Sequence, residues 1–161
     1  MRDIDSILLE SLYGEIHLEE SSFKFPLSVY HGTDLESAKD IKENGLNLEK
    51  CERGYFGKAF YVTTDKDLAK SNYAEFSGEE DGGVVLEFSM KPINKILDFR
   101  NPEDWETFKN LKYKGRDVEK YMGFDEYPQI MKHLGIDAIY DRSNDAFAVY
   151  NLGALKLSFD K

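Results

Sequence analysis

The chain of 161 residues has one cysteine, Cys51. A single thiol excludes an intramolecular disulfide and any zinc site built from several cysteines, and it is consistent with a reducing compartment. The sequence also lacks an apolar run long enough to span a bilayer, and Met1–Asp5 lacks the basic stretch and apolar core of a secretory signal. These absences predict a soluble, cytoplasmic protein with no membrane partner.

Several catalytic signatures are also missing. The sequence contains no G-x-S-x-G elbow, no G-x-x-x-x-G-K-[ST] phosphate loop, no G-x-G-x-x-G fingerprint and no H-E-x-x-H pair. Its three histidines, His17, His31 and His133, lack the spacing of metal ligands. We therefore expect no metal, and the commonest hydrolase, nucleotidase and dehydrogenase classes are disfavoured.

The formal net charge is −10 and the sequence pI is about 4.8. This charge disfavours non-specific attraction to nucleic acid or to anionic membranes. A basic cluster remains that could form a small rim for a nucleic-acid acceptor, although a solvated face is the more frequent explanation for such a cluster. Its members are Lys109, Lys112, Lys114 and Arg116.

The hydrophobic pattern predicts one α+β domain over residues 26–161, with strands of about five residues and few helices. Residues 1–25 are predicted to form a short amphipathic helix and a linker. The predicted strands are Leu27–His31, Ala59–Thr63, Val84–Met90, Ile136–Tyr140, Ala146–Tyr150 and Leu155–Phe159.

Two of these strands are followed by helix-start signals. Thr33 and Glu36 form a capping box after the first strand, and Thr64 with Asp67 caps a helix after the second. Lys112–Arg116 is predicted to be a basic loop.

His31 ends the first predicted strand, and Gly32 follows it. A lone histidine is by default a buried ring bonded to a backbone carbonyl, but Gly32 favours a ligand, because a missing side chain lets one approach the backbone N–H and C=O. A planar amide could dock there through paired hydrogen bonds. Tyr61 and Tyr73 could stack on a flat ring from both sides, as a nicotinamide site requires, although most tyrosines fill cores.

Four segments resemble the NAD-binding core of ADP-ribosyltransferases of the His-Tyr-Glu branch, which includes diphtheria toxin and poly-ADP-ribose polymerase: Tyr30–Thr33, Ile41–Leu46, Gly57–Tyr61 and Lys70–Tyr73. Two further segments, Gly135–Tyr140 and Asp145–Asn151, are similar to the last two sheet strands of small bacterial and phage-type members. The resemblance runs from about Tyr30 to Leu157. It implies a split mixed or antiparallel sheet with a few peripheral helices.

The resemblance implies that NAD is the co-substrate and that six residues bind it: His31, Gly32, Thr33, Tyr61, Ser71 and Tyr73. His31 would bond the ribose of the adenosine half, and the Gly32 backbone would hold the nicotinamide carboxamide. Tyr61 and Tyr73 would stack on opposite faces of the nicotinamide ring. Ser71 lies close to the position of a family serine that bonds the same carboxamide.

The third family motif departs from the pattern. A glutamate begins the penultimate strand in the family, and Ala146 stands there in this chain, with Asp145 as the nearest carboxylate. One interpretation makes Asp145 catalytic with Tyr61, because the reaction needs an acceptor for the ribose 2′-hydroxyl and a negative charge near the oxocarbenium ion. The other makes Asp145 a turn former beside Asn144.

The resemblance implies an enzyme that cleaves the nicotinamide glycosidic bond and transfers ADP-ribose to a protein or nucleic acid. Such an enzyme would be a toxin, an effector or a phage host-modifier, with an antitoxin or inhibitor protein as a possible partner. An alternative, favoured by Ala146, is a module that binds NAD or ADP-ribose without turnover. An RNA 2′-phosphotransferase matches poorly, because Tyr61–Thr64 stands where that family has phosphate-binding arginines.

Overall fold

The computed structural model describes residues 23–51, 53–54, 56–77, 83–121 and 125–158. The predicted N-terminal helix lies outside these residues, so the division after residue 25 stays a prediction. The strands are β1 (Leu27–Asp34), β2 (Arg53–Gly54), β3 (Gly57–Lys58), β4 (Phe60–Val62), β5 (Gly83–Met90), β6 (Lys95–Asp98), β7 (Lys112–Tyr113), β8 (Arg116–Asp117), β9 (Ile136–Asp141), β10 (Ala146–Val149) and β11 (Leu155–Leu157). The α-helices are α1 (Leu35–Asn44), α2 (Lys66–Ser77), α3 (Pro102–Asn110) and α4 (Tyr127–His133).

Two sheets form the centre of the fold. The first is antiparallel, in the order β1-β5-β11, and the second has the order β4-β10-β9-β6. The second sheet is mixed, because β6 runs parallel to β9 while β4, β10 and β9 are antiparallel. The predicted α+β class, with mixed and antiparallel sheets and few helices, is confirmed.

The two sheets touch through an isolated bridge between β1 and the end of β4. Tyr30 N–H donates to Thr63 O at 2.7 Å, and Thr63 N–H donates to Tyr30 O at 2.9 Å. In the described part of the chain no second residue pair extends this bridge. Backbone pairing between β1 and β4 therefore stops on either side of the bridge, and we call the place beyond Tyr30 where it stops the gap between the sheets.

The core has two parts because the second sheet is buried on both faces. Along β10, Phe147 and Val149 pack into one cluster, while Ala148 and the following Tyr150 pack into the other. All four side chains are at most 2% exposed. This alternation is the strand period of two, with an apolar layer on each side. No helix of the described ranges is both long and apolar enough to cross a bilayer.

The predicted cap of α1 is wrong by one residue. β1 continues pairing with β5 as far as Asp34, so Thr33 is a strand residue. Asp34 caps the helix instead: its carboxylate accepts the N–H of Ser37 at 2.6 Å. A carboxylate at this place also interacts favourably with the positive end of the helix dipole.

The predicted cap of α2 is wrong in the same way. Asp65, not Thr64, accepts the N–H groups of Asp67 and Leu68, at 2.9 and 3.1 Å. The hydroxyl of Thr64 is engaged elsewhere, by the carboxylate of Asp145. A tertiary hydrogen bond thus takes the group that local sequence assigns to the helix.

The predicted basic loop is a hairpin. β7 and β8 pair across Lys114 and Gly115, which both have positive φ, at 51° and 77°. Two positive φ angles in a row suit a tight hairpin turn whose twist matches the strands. An ion pair between Lys112 and Asp117 joins the strands opposite the turn.

Gly57 allows a close approach between β3 and α4. Its φ is +80°, and a Cβ there would lie 2.9 Å from Cγ of Tyr127. Gly57→Ala should therefore cost backbone strain and about 1–3 kcal/mol more for overpacking against a buried ring. Gly135→Ala is the matched control, because φ is +75° and nothing lies within 4 Å. Urea unfolding of both variants measures the difference, and equal losses would contradict the close contact.

Candidate active site

His31 lies beside the gap, where pairing between β1 and β4 stops. Its Nδ1 lies 2.7 Å from the carbonyl oxygen of Tyr61. A carbonyl only accepts, so Nδ1 carries the proton and Nε2 is left as an acceptor. The ring packs on Phe60 with centroids 4.2 Å apart and planes 32° apart. Within the described ranges Nε2 has no hydrogen-bond partner.

Burial lowers the pKa of His31, and the bond to the Tyr61 carbonyl opposes this shift more weakly. The ordinary pKa of histidine is already below 7, so the imidazole is neutral at neutral pH. A neutral ring with Nδ1–H fixed presents one lone pair, on Nε2. That atom is suited to accept a hydrogen bond from a hydroxyl group.

Gly32 presents its backbone groups to the same gap. In an antiparallel ladder, residues two apart direct N–H and C=O to the same edge of the strand. Tyr30 directs both groups to Thr63, so Gly32 directs both away from β5, beyond the point where pairing with β4 stops. No hydrogen bond to these groups is observed on that edge among the residues described. A donor and an acceptor side by side fit a primary carboxamide.

Tyr61 is held rigidly by its hydroxyl. The O–H donates to Gly57 O at 2.6 Å, and the oxygen accepts the N–H of Phe56 at 3.1 Å. Tyr150 O–H fixes the same turn by donating to Phe56 O at 2.7 Å. The ring of Tyr61 is half-buried. An aromatic face fixed in advance loses little entropy when a flat ring stacks on it.

Helix α2 carries two other predicted site residues and packs against β1 and β5. Ser71 is exposed on this helix. Tyr73 also belongs to α2, but its side chain lies outside the described residues. Thr33 is a buried residue of β1 and pairs with Val84 of β5. The structure thus brings α2 beside β1, while His31, Gly32 and Tyr61 are the predicted residues placed around the gap.

Asp145 ends a 3₁₀ turn, Arg142–Asn144, in the left-handed conformation with φ 44° and ψ 54°. Its carboxylate accepts three hydroxyl groups, from Thr63 at 3.1 Å, Thr64 at 2.9 Å and Tyr140 at 2.7 Å. The catalytic interpretation of Asp145 stays a prediction. Asp145 is a turn residue, and its carboxylate lies beside Thr63, the residue that joins the two sheets.

Ala146 is the first residue of β10 and pairs with Asp141 of β9. It is half-buried and carries no group that could act on a substrate. The position that the family motif reserves for a glutamate is therefore apolar in this chain. Asp145, one residue earlier, supplies the carboxylate at this end of the strand.

The sequence interpretation missed Thr63, Thr64 and Tyr140 as site residues. The two threonines form a polar pair at the end of a strand, and the sequence pattern predicts a role only for Thr64, as a helix cap. For Tyr140 the pattern predicts a place in a strand and no further role. The signal lies in tertiary structure, because Tyr140 is 76 positions from Thr64 in the chain.

Two other features of the described chain lie apart from this site. An apolar groove of about 360 Å³ runs between α1 and β11, lined in part by Ile41, Leu152 and Leu157. It includes none of the predicted site residues. No three histidine, cysteine or carboxylate side chains converge within the described ranges as metal ligands would.

No protein-family model, curated protein or solved structure matches this chain. The function must therefore be inferred from the geometry at the junction of the two sheets.

The lowered pKa of His31 predicts a pH dependence of stability. Because the folded protein lowers the pKa of His31, the unfolded chain binds a proton more readily. The contribution of His31 to the free energy of unfolding should be fully present above about pH 6.5. The free energy of unfolding should fall as the pH decreases from there towards about 5. His31→Asn, whose amide can replace Nδ1–H, should flatten this dependence.

Urea unfolding at constant ionic strength between pH 5 and 7.5 measures the effect. His133 is exposed, so His133→Asn should keep the dependence of the unchanged protein. A His31 variant with the same slope as the unchanged protein would show that another group titrates.

Proposed function

We propose that this protein has an ADP-ribosyltransferase-like fold and transfers ADP-ribose from NAD to a macromolecule. One observation carries the proposal: three residues from separate motifs meet at the junction of the two sheets. His31 bonds to the carbonyl of Tyr61, and the carboxylate of Asp145 bonds to Thr63, whose backbone pairs with Tyr30. Residues so far apart in the chain thus converge where pairing between the two sheets stops.

The gap offers complementary groups for the two halves of NAD. The N–H and C=O of Gly32 suit the oxygen and the NH₂ of the nicotinamide carboxamide. The fixed ring of Tyr61 offers a face for the pyridine ring, and Nε2 of His31 accepts a hydroxyl of the adenosine ribose. Each assignment uses a group whose orientation the fold fixes before binding.

The reaction then follows from position and charge. The bond between the nicotinamide nitrogen and ribose C1′ breaks, and its electron pair neutralises the pyridinium. Positive charge grows on the ribose, where the carboxylate of Asp145 stabilises it and accepts a ribose hydroxyl. A nucleophile of the acceptor forms the new bond at C1′ and loses its proton. NAD is a co-substrate, and no step requires a metal.

The acceptor is proposed to be a protein. The acidic net charge disfavours nucleic acid, and the basic cluster is partly neutralised, because Lys109 pairs with Glu106 and Lys112 with Asp117. A cytoplasmic toxin, effector or phage host-modifier, with an inhibitor protein as a further partner, belongs to the proposal through the resemblance alone.

A binding module without turnover is the second candidate. Ala146 replaces the motif glutamate, and the carboxylate of Asp145 already accepts three hydroxyls. A carboxylate that only holds a turn would leave the gap able to bind NAD and unable to cleave it.

Tyr61 variants test the placement of the pocket. Tyr61→Ala should weaken NAD binding about ten- to a hundredfold, because a stacking face is lost. Tyr61→Phe keeps the face and loses only the anchoring bonds, so its loss should be smaller. Tyr113→Ala on the β7–β8 hairpin is the control and should bind NAD normally. Calorimetric titration measures all four proteins, and undiminished binding by Tyr61→Ala would place the pocket elsewhere.

Asp145→Asn separates the transferase from the module. In a transferase it should lower NAD cleavage about 10²–10³-fold with little change in NAD affinity, because a charge at the developing cation is removed. Release of nicotinamide from radiolabelled NAD, with and without cell lysate, measures cleavage and transfer. Label on protein supports the proposed acceptor, and label on nucleic acid contradicts it. Binding without cleavage by the unchanged protein establishes the module.

A further inference from the structure

We infer that Tyr140 is a positioning residue that fixes the carboxylate of Asp145 for the reaction on the nicotinamide ribose. The inference rests on the proposed function. The phenol donates to Oδ1 of Asp145 at 2.7 Å, the shortest of the three hydroxyl contacts to this carboxylate. The bond spans five residues across the β9–β10 turn, so it fixes the side chain and the turn together.

The phenol of Tyr140 is a donor at all working pH values. Burial raises the pKa of Tyr140 above its ordinary value, and the hydrogen bond to Asp145 raises it further. The hydroxyl proton therefore stays on the phenol and points to the carboxylate. A group that cannot lose its proton provides orientation without competing for the charge.

Three side chains pack against the ring of Tyr140. Phe147 and Phe23 pack against it with centroids 4.6 and 4.9 Å away, and the guanidinium of Arg100 lies 4.9 Å from its centroid. Arg100 is itself immobilised by Asp98, with Nη2–Oδ2 at 2.7 Å and Nε–Oδ1 at 3.0 Å. A ring held in this way places its hydroxyl at one point.

This arrangement leaves the charge of Asp145 uncompensated. The guanidinium of Arg100 is bound to Asp98, and no lysine or arginine in the described ranges pairs with Asp145. Three neutral hydroxyls orient the carboxylate without bringing a positive charge to it. A salt bridge at the same place would have neutralised the charge that an oxocarbenium ion needs.

Tyr140→Phe tests the inference, since it keeps the clamped ring and removes the donor. The kcat for NAD cleavage should fall about tenfold or more, while KM changes less than twofold. Thr64→Val removes a second donor to the same carboxylate and should also lower kcat. Tyr113→Phe is the control and should match the unchanged protein. A Tyr140→Phe protein with unchanged kcat overturns the inference, and so does one in which only KM changes.

A double-mutant cycle separates positioning from general packing. If Tyr140 acts through Asp145, Tyr140→Phe should add nothing to Asp145→Asn, whereas independent effects would multiply. Multiplicative losses overturn the inference. If the unchanged protein cleaves NAD and Asp145→Asn cleaves it more slowly, a Tyr140→Phe variant with normal kcat overturns the inference and leaves the proposed function standing. If the unchanged protein cleaves no NAD, the proposed transferase and the inference fail together.

Discussion

The pair of hydrogen bonds between Tyr30 and Thr63 determines what the rest of the structure can do. It joins two sheets at one residue pair, so β1 and β4 are aligned there and free to part beyond it. Continued pairing would consume the backbone groups of Gly32 and leave no room for the imidazole of His31. The bridge and the bond from His31 to the Tyr61 carbonyl together hold the two strands in register. The unpaired backbone edge of Gly32 beside His31 thus follows from a ladder that stops after its first pair.

The hydrogen bonds to the carboxylate of Asp145 form a second link at the same junction. The carboxylate of Asp145 draws together Thr63 and Thr64 at the end of β4 and Tyr140 at the end of β9. These bonds also stabilise a non-glycine residue in the left-handed conformation, which aspartate tolerates better than most residues. One side chain therefore holds a turn and places a negative charge next to the gap. The structural and chemical interpretations of Asp145 describe the same contacts.

Local sequence predicts this fold where a single element contains its own signal. The α3 helix begins at Pro102 with Asn101 as its cap, and α4 begins at Tyr127 with Pro128 in its first turn, the places where asparagine caps and first-turn prolines predict a helix start. The prediction of the α1 cap was wrong because Thr33 and Asp34 both suit a helix start, and only pairing with β5 decides between them. His31 could be singled out from its neighbours in the chain. The hydroxyls around Asp145 could not, because they come from distant segments that only the sheets bring together.

In the proposed reaction, the distance from the carboxylate of Asp145 to the developing cation sets how far this side chain can replace the glutamate of the family motif. At an effective dielectric constant of 20, a charge 4 Å from a developing cation contributes about 4 kcal/mol, and at 8 Å about half as much. The first value corresponds to roughly a thousandfold in rate and the second to roughly thirtyfold. Moving the carboxylate from Ala146 to Asp145 therefore lowers catalysis only as far as it lengthens this distance. Because neutral donors hold the carboxylate, none of that energy is lost to a permanent counter-ion.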